Sequence, residues 1–504
     1  MGANIQIFNP TAAAPTPGLS KIKKIVYSGM KRTSLWGLIS GPLLMAALMA
    51  YPGDLVSPAA DPVLALGLWM IVWWISEAVS ISVTALLPLL VMPLLGILPL
   101  DEVGGYYGSP IIFLFFGGFV MALALEKVGL HRRIALNIIQ KTGTSPAAVL
   151  LGFMIATGFL SMWISNTATV VLMLPIAQSV IHLLIEDSDG FTKEDRNFAL
   201  SVMLGIAFAA NAGGIATVIG TPPNSVLIGL LENEYHQPIS FMEWMALGFP
   251  LSVLLIAIIY GVLLRLFPFK SLAFKADQNI IADSLKSLGA MDSREKQVLV
   301  VFGATVFLWI FRAAINQLIP GLGLTDTAIS LFGALSLFCI PTKDKKEPFI
   351  LAWSDTKNLS WGILILFGGG LALANGMTQS GLVDLVSSSI QQQQWPVIGT
   401  VVVLIALMLF LTELMSNVAL VAVLAPVVAG IALGLDIPII HLLIPVTIAS
   451  SCAFMLPMAT PPNAIVFASG YIEVKDMVRA GIWLNLISVA LLTAVYQWVI
   501  PWLF

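Results

Sequence analysis

The chain has 504 residues, 58% of them hydrophobic and 10% charged, with a mean hydropathy of +0.95. Soluble domains carry about 25% charged residues, so nearly the whole chain is expected in lipid, and the net charge of −3 says less than where the charges fall. Among the two cysteines, Cys339 and Cys452, and the four histidines no HExxH, CxxC or phosphate-loop pattern occurs, and nothing in the sequence reads as an enzyme. Both thiols lie in apolar runs and are expected to be buried and inert.

Met1–Ser20 is polar and rich in Pro and Ala, without the basic-then-apolar order of a signal peptide. Residues 1–34 therefore read as a cytoplasmic tail, ending in Lys21, Lys23, Lys24, Lys31 and Arg32. A spanning helix needs roughly 20 apolar residues, and Lys and Arg are retained on the cytoplasmic side. A first span at about 36–51 then leads out to a loop holding Asp54 and Asp61 but no base. Helices at about 63–79 and 81–99 return the chain outside at Asp101 and Glu102. One at about 110–128 descends to Lys127, Arg132, Arg133 and Lys141. Residues 145–185 must begin and end inside, because the next loop holds Lys193 and Arg196; that makes them a re-entrant hairpin. A helix at about 197–230 crosses to the base-free stretch Leu231–Ser240, and Phe241–Leu266 returns.

The first half, 35–267, is followed by a cytoplasmic linker, 268–296, carrying Lys270, Lys275, Lys286, Arg294 and Lys296. In the second half, 297–504, helices at about 297–319 and 325–341 bring Lys343, Lys345, Lys346 and Lys357 inside. Trp361–Met377 goes out, and 395–435 forms a second hairpin entered from outside. A helix at about 441–471 descends to Lys475 and Arg479, and the last one ends outside at Phe504. Every Lys and Arg except Arg312 then sits at or near the cytoplasmic face. The expected fold is an all-α polytopic membrane protein of about eleven transmembrane helices plus two re-entrant hairpins.

Two motifs occur twice. Ser165-Asn166-Thr167, inside Trp163–Pro175, has its counterpart 251 residues on (165 to 416) in Ser416-Asn417-Val418, inside Met415–Pro426. Gly220-Thr221-Pro222-Pro223-Asn224 is matched by Ala459-Thr460-Pro461-Pro462-Asn463. Phe115–Gly118 before Gly129-Leu130 likewise resembles Phe367–Gly370 before Gly381-Leu382. The charge rule gives the two copies opposite orientations, and inverted repeats with interrupted helices mark secondary transporters with a midplane site.

Unpaired backbone in lipid costs on the order of several kcal/mol per group, so tips and breaks are expected to face one another inside the protein. There, helix N-termini attract anions, and helix C-terminal carbonyls are hard oxygen ligands suited to Na⁺. Four residues before each triplet serine stands a further hydroxyl, Ser161 or Thr412, one turn away on the same face. With the triplet's Asn amide oxygen and a carbonyl from Gly220 or Ala459, each repeat offers one oxygen cage for a cation. No Lys or Arg lies in either hairpin core or beside either TPPN. A bound anion would be balanced by amide dipoles and co-bound cations, which favours cation-coupled uptake over an anion pore. Of the carboxylates in apolar sequence, Glu77, Glu126 and Glu413, the last is expected to brace the second hairpin.

SNT…P, GTPPN, SNV…P and ATPPNAIVFASG resemble the divalent anion/sodium symporter family, the sodium-coupled di- and tricarboxylate transporters, over nearly the whole chain after about residue 35. The resemblance implies a homodimer in the bacterial inner membrane, with scaffold domains and elevator-like transport domains. It implies a first Na⁺ site at Ser161, Ser165, Asn166 and Gly220, and a second at Thr412, Met415, Asn417 and Ala459. Substrate carboxylates would meet Ser165, Asn166, Thr167, Thr221, Pro222, Ser416, Asn417, Val418, Thr460 and Pro461. Many bacterial members have SNT in both triplets. Val418 here removes one possible hydrogen bond to a substrate oxygen, about 1 kcal/mol. The expected activity is Na⁺-coupled import of C4-dicarboxylates, with exchange of dicarboxylate or citrate on the same fold as the alternative.

Overall fold

The computed structural model describes residues 35–185, 192–269, 280–319, 321–344, 346–393 and 395–504. The basic N-terminal tail and Lys270, Lys275 and Lys345 fall outside the described residues. Among those residues the secondary structure is helical, apart from one isolated bridge between Pro341 and Phe349.

The chain opens with α1 (Leu35–Met49) and α2 (Ala60–Ser76), then α3 (Ile81–Thr84) and α4 (Leu87–Leu94). The sequence reading has one helix where α3 and α4 stand. Pro88 lacks the N–H that would bond the Thr84 carbonyl, and the Ala85 carbonyl beside the break accepts the Tyr107 hydroxyl. Next come α5 (Leu100–Tyr107), α6 (Pro110–Lys127), α7 (Leu130–Thr142), α8 (Pro146–Ser161), α9 (Asn166–Ile185), α10 (Lys193–Gly214), α11 (Pro222–Tyr235) and α12 (Phe241–Leu266). After α13 (Ile280–Ser287), α14 (Ser293–Leu318), α15 (Asp326–Cys339) and a 3₁₀ turn at Trp353–Asn358, the same order recurs. It runs through α16 (Trp361–Gln379), α17 (Leu382–Gln393), α18 (Val397–Leu411), α19 (Asn417–Gly434), α20 (Ile439–Ser450), α21 (Pro461–Phe467) and α22 (Val474–Trp498), and ends in α23 (Ile500–Leu503). Helices α6 to α12 thus have counterparts in α16 to α22.

Among the described residues, seven helical stretches are long and apolar enough to cross a membrane. Their surroundings differ sharply: 94% of the apolar window of α10 is buried in protein, against 17% of that of α14. A helix apolar all round is a buried one only when protein surrounds it; α14 lies on the surface of the chain, and α10 at its centre. Glycines permit that centrality. A Cβ at Gly213 would lie 2.3 Å from the Gly158 carbonyl oxygen on α8, so the two backbones touch with no side chain between them.

The described residues 280–296 of the expected linker include α13, and Arg133 of α7 donates to the Leu288 and Gly289 carbonyls and to the Glu295 carboxylate. Arg312, the one base that the charge pattern leaves on the outer side, is paired with Asp326 at 3.2 Å. Of the two cysteines, Cys452 is buried but Cys339 is exposed. The expectation of two buried thiols therefore fails at Cys339, because it ends a helix whose other face makes the packing contact with α6.

Candidate functional site

The two triplets sit where chain-adjacent helices meet. Met162–Ser165 joins α8 to α9, and Thr412–Ser416 joins α18 to α19. Each following helix begins at the triplet's asparagine, Asn166 or Asn417. Ser165 Oγ accepts the Ala168 N–H at 3.2 Å, supplying one of the donors that a helix start leaves without a partner. Pro175 and Pro426 lie inside α9 and α19, so the interruption falls at the triplet and not at the proline.

The TPPN motifs open helices as well. Pro222 and Pro461 are the first residues of α11 and α21, a position where a missing N–H costs nothing. Thr221 and Thr460 are the N-caps, and Thr460 Oγ1 accepts the Asn463 N–H at 3.3 Å. The motif asparagines close the breaks upstream. Asn224 Nδ2 donates to the Gly214, Ile215 and Thr217 carbonyls, the shortest at 2.9 Å, and Asn463 Nδ2 to those of Ala453 and Leu456 at 3.1 Å.

In the first repeat the acceptors are left open. Ser161 Oγ and Asn166 Oδ1 are buried with no hydrogen-bond partner. Other hydroxyls in apolar helices, such as Thr157 and Ser179, bond the carbonyl one turn back. A Cβ on Gly214 would stand 2.9 Å from Asn166 Oδ1 and 3.0 Å from the Gly220 carbonyl oxygen, so both oxygens converge on a spot that only glycine leaves free. Thr217 Oγ1, 2.6 Å from the Met162 carbonyl, ties this break to the hairpin tip.

The second repeat arranges the same types differently. Thr412 Oγ1 lies 2.7 Å from Asn417 Oδ1 and 2.7 Å from the Ser450 carbonyl oxygen. A hydroxyl has one proton, so it donates to only one of these two oxygens. The tie from tip to break is a buried carboxylate: Glu413 accepts the N–H groups of Phe454, Met455 and Leu456 and the Asn485 amide of α22, at 2.8 to 3.1 Å. It is a brace, as the sequence reading expects.

The halves interlock at these motifs. Helix α9 packs against α21, and α19 against α11. Ser165, Thr167 and Pro461 are exposed, and Asn166, Pro222, Met415, Ser416, Asn417 and Val418 are half-buried. Thr221, Thr460, Ser161, Thr412, Gly220 and Ala459 are buried beneath them. Accessible amides and hydroxyls thus form a rim over buried oxygens. Among the described residues no group of three His, Cys, Asp or Glu is placed to hold a metal ion. The oxygens on offer are hydroxyl, amide and carbonyl, a hard, uncharged donor set that fits Na⁺. Three residues at the site escape motif reading: Thr217, Asn485 and Asn211, whose amide reaches the second break. Their signal in the sequence is only that each is polar in an apolar run.

Residues 32–504 match the family described as "Sodium:sulfate symporter transmembrane region". The sodium-dependent dicarboxylate transporter SdcS of Staphylococcus saprophyticus is 40% identical over 476 residues, 93% of this chain and 91% of that protein. SdcS of Staphylococcus aureus is 40% identical over 501 residues, 96% and 93% of the two chains. Among solved structures, the Alcanivorax borkumensis YdaH transporter superposes with a TM-score of 0.56 at 13% identity, covering 93% of this chain and 98% of that one. Neisseria gonorrhoeae MtrF gives 0.52 at 10% identity, covering 91% and 96%. At such identities the likeness concerns the fold alone. On the family match and the 40% identity to SdcS, the chain is an all-helical, multi-pass membrane protein of the divalent anion:Na⁺ symporter family.

Proposed function

We propose that this protein imports C4-dicarboxylates such as succinate, malate and fumarate into the cytoplasm by symport with Na⁺, as a homodimer with an elevator motion. One Na⁺ is held by Ser161, Ser165, Asn166 and Gly220, and a second by Thr412, Met415, Asn417 and Ala459. The substrate's carboxylates meet Ser165, Asn166, Thr167, Thr221, Pro222, Ser416, Asn417, Val418, Thr460 and Pro461. The hairpins are re-entrant, the repeats inverted, the N-terminus cytoplasmic and the C-terminus external.

The observation that carries this reading is the surplus of buried acceptor oxygen: unpaired Ser161 Oγ and Asn166 Oδ1 in one repeat, and one proton among three oxygens around Thr412 in the other. Buried acceptors without donors are costly, and a cation satisfies them. The cations then add positive charge beside the starts of α9, α11, α19 and α21, whose free N–H groups favour an anion. With no basic side chain in the hairpin cores, anion affinity depends steeply on Na⁺. The names of the SdcS relatives agree with Na⁺ and dicarboxylate as the ligands.

The test is labelled-succinate uptake into proteoliposomes with an inward Na⁺ gradient, with K⁺ alone, and with K⁺ plus internal succinate. Symport requires uptake with Na⁺ only. Uptake that needs internal succinate and ignores Na⁺ makes the protein an exchanger and the cages structural. Asn166→Ala and Asn417→Ala should each reduce uptake to background with the oligomer intact by size exclusion; normal uptake by both removes the site.

A further inference from the structure

We infer that Asn211 is a positioning residue that couples the first cation cage to the substrate end of the second repeat, an inference that rests on the function proposed above. Its backbone belongs to the first repeat, three residues before Gly214 on α10, where Asn166 Oδ1 and the Gly220 carbonyl converge. Its side chain belongs functionally to the second. Asn211 Nδ2 lies 3.1 Å from the Ala453 carbonyl, 3.2 Å from Thr460 Oγ1 and 3.4 Å from Asn463 Oδ1. Thr460 is the N-cap of α21 and a residue proposed to meet substrate. Asn211 is itself 2% exposed, and the two N–H protons of its amide are shared among these three acceptors.

The tie runs one way only. Asn211 stands 13 residues before Asn224 (211 to 224), and the residue 13 before Asn463 (450 to 463) is Ser450. Ser450 Oγ turns back to the Thr447 carbonyl at 2.7 Å, and Asn224 Oδ1 is buried with no partner, whereas Asn463 Oδ1 has Asn211. The α21 start is thereby tied to the first repeat by a side-chain hydrogen bond; α20 packs against α11 in the same way, but among the described residues no side chain of α20 hydrogen-bonds to the α11 start. Helix α10 is a stiff lever for this purpose, because its end lies backbone to backbone on α8 at Gly213 and Gly158. A cation drawing Asn166 and Gly220 together beside Gly214 is therefore felt at Thr460 through one side chain.

The experiment compares full-length wild type with Asn211→Ala and with Asn211→Ser, which places the second repeat's residue in the first. Each is purified and reconstituted for succinate KM, Vmax and the Na⁺ Hill coefficient, with thermal stabilisation by Na⁺ alone measured in detergent. The expected result is a succinate KM raised about five- to tenfold, the loss of about one buried hydrogen bond. The Hill coefficient falls towards one, and the shift produced by Na⁺ alone is retained. Asn211→Ser, too short to reach α21, behaves the same way and serves should Asn211→Ala not fold. Unchanged KM and Hill coefficient in both variants overturn the inference. So does a fall confined to Vmax, or one accompanied by loss of the Na⁺-only shift, because a general packing defect would do that. A wild type that takes up succinate without Na⁺ overturns the proposed function and this inference with it.

Discussion

The two repeats carry the same motifs in the same order, with each triplet at the same distance from its proline, and make different arrangements of them. Around Ser161 the first repeat has unpaired oxygens and no charge, and its tip is tied to its break by the neutral contact between Thr217 and the Met162 carbonyl. Around Thr412 the second has its oxygens drawn onto each other, with a carboxylate at Glu413. Glu413 stands where Met162 does, 251 residues on (162 to 413), the same offset as between the triplets. In the function proposed above, the first cage has its acceptors unpaired, the second holds a hydroxyl contact that a cation would replace, and the Glu413 carboxyl ties the frame of the second together. Duplication supplied the pattern, and divergence at single positions supplied two unequal sites.

Copying one repeat into the other breaks the comparison most severely. Glu413→Met leaves the N–H groups of Phe454, Met455 and Leu456 without their acceptor, and each buried donor left without a partner costs about 1–3 kcal/mol. The thermal midpoint in detergent should drop by many degrees, and a midpoint equal to wild type would show that Glu413 braces nothing. A second pair of variants sharpens the difference in openness. Thr412→Val should lose both stability in K⁺, by about 1–3 kcal/mol for the stranded acceptor at Ser450, and the stabilisation brought by Na⁺. Ser161→Ala removes a hydroxyl with no partner, so stability in K⁺ should hold while the Na⁺ effect shrinks. Equal losses in K⁺ for the two variants would erase the distinction between an open and a closed cage.

The smallest effect lies at the ends of α6 and α16. Lys127 donates to Asp355 at 2.9 Å, whereas Gln379, at the matching position, donates to Glu102 at 3.0 Å. Partial burial pushes the Asp355 carboxyl up, but the Ala352 N–H and the Lys127 ammonium outweigh it and hold the group below its ordinary 3.8. A carboxylate lowered by folding stabilises above the unfolded value and ceases to do so as pH falls through the folded one. The midpoint of Asp355→Asn should therefore lie slightly below wild type above about pH 4 and merge with it on further acidification. A gap that persists at the lowest pH would show that the pair is not the source.

Much of the helix layout is legible in one dimension. Pro222 and Pro461 cannot continue a preceding helix, and small polar residues in apolar sequence mark the tips, so the breaks fall where local chemistry puts them. The amphipathic α7 and α17 are absent from the span count because their polar faces dilute the apolar signal. Pro88 marks the split of α3 from α4, but the apolar length of the run reads as one helix. Cys339 differs from expectation for a related reason: apolar sequence does not distinguish a face that packs on protein from one that stays exposed.

The class of molecule, the duplication and the types of atom at the motifs follow from hydropathy, proline and spacing, and are legible in one dimension. Which of those atoms are satisfied follows only from packing. Whether Asn211 reaches Thr460 or Ser161 Oγ goes unpaired depends on how α10 lies against α21 and how closely glycine lets backbones approach. Residues 249 apart in the chain meet there, and a hydrogen bond made or lost over a few tenths of an ångström is a property of packing that no local pattern encodes.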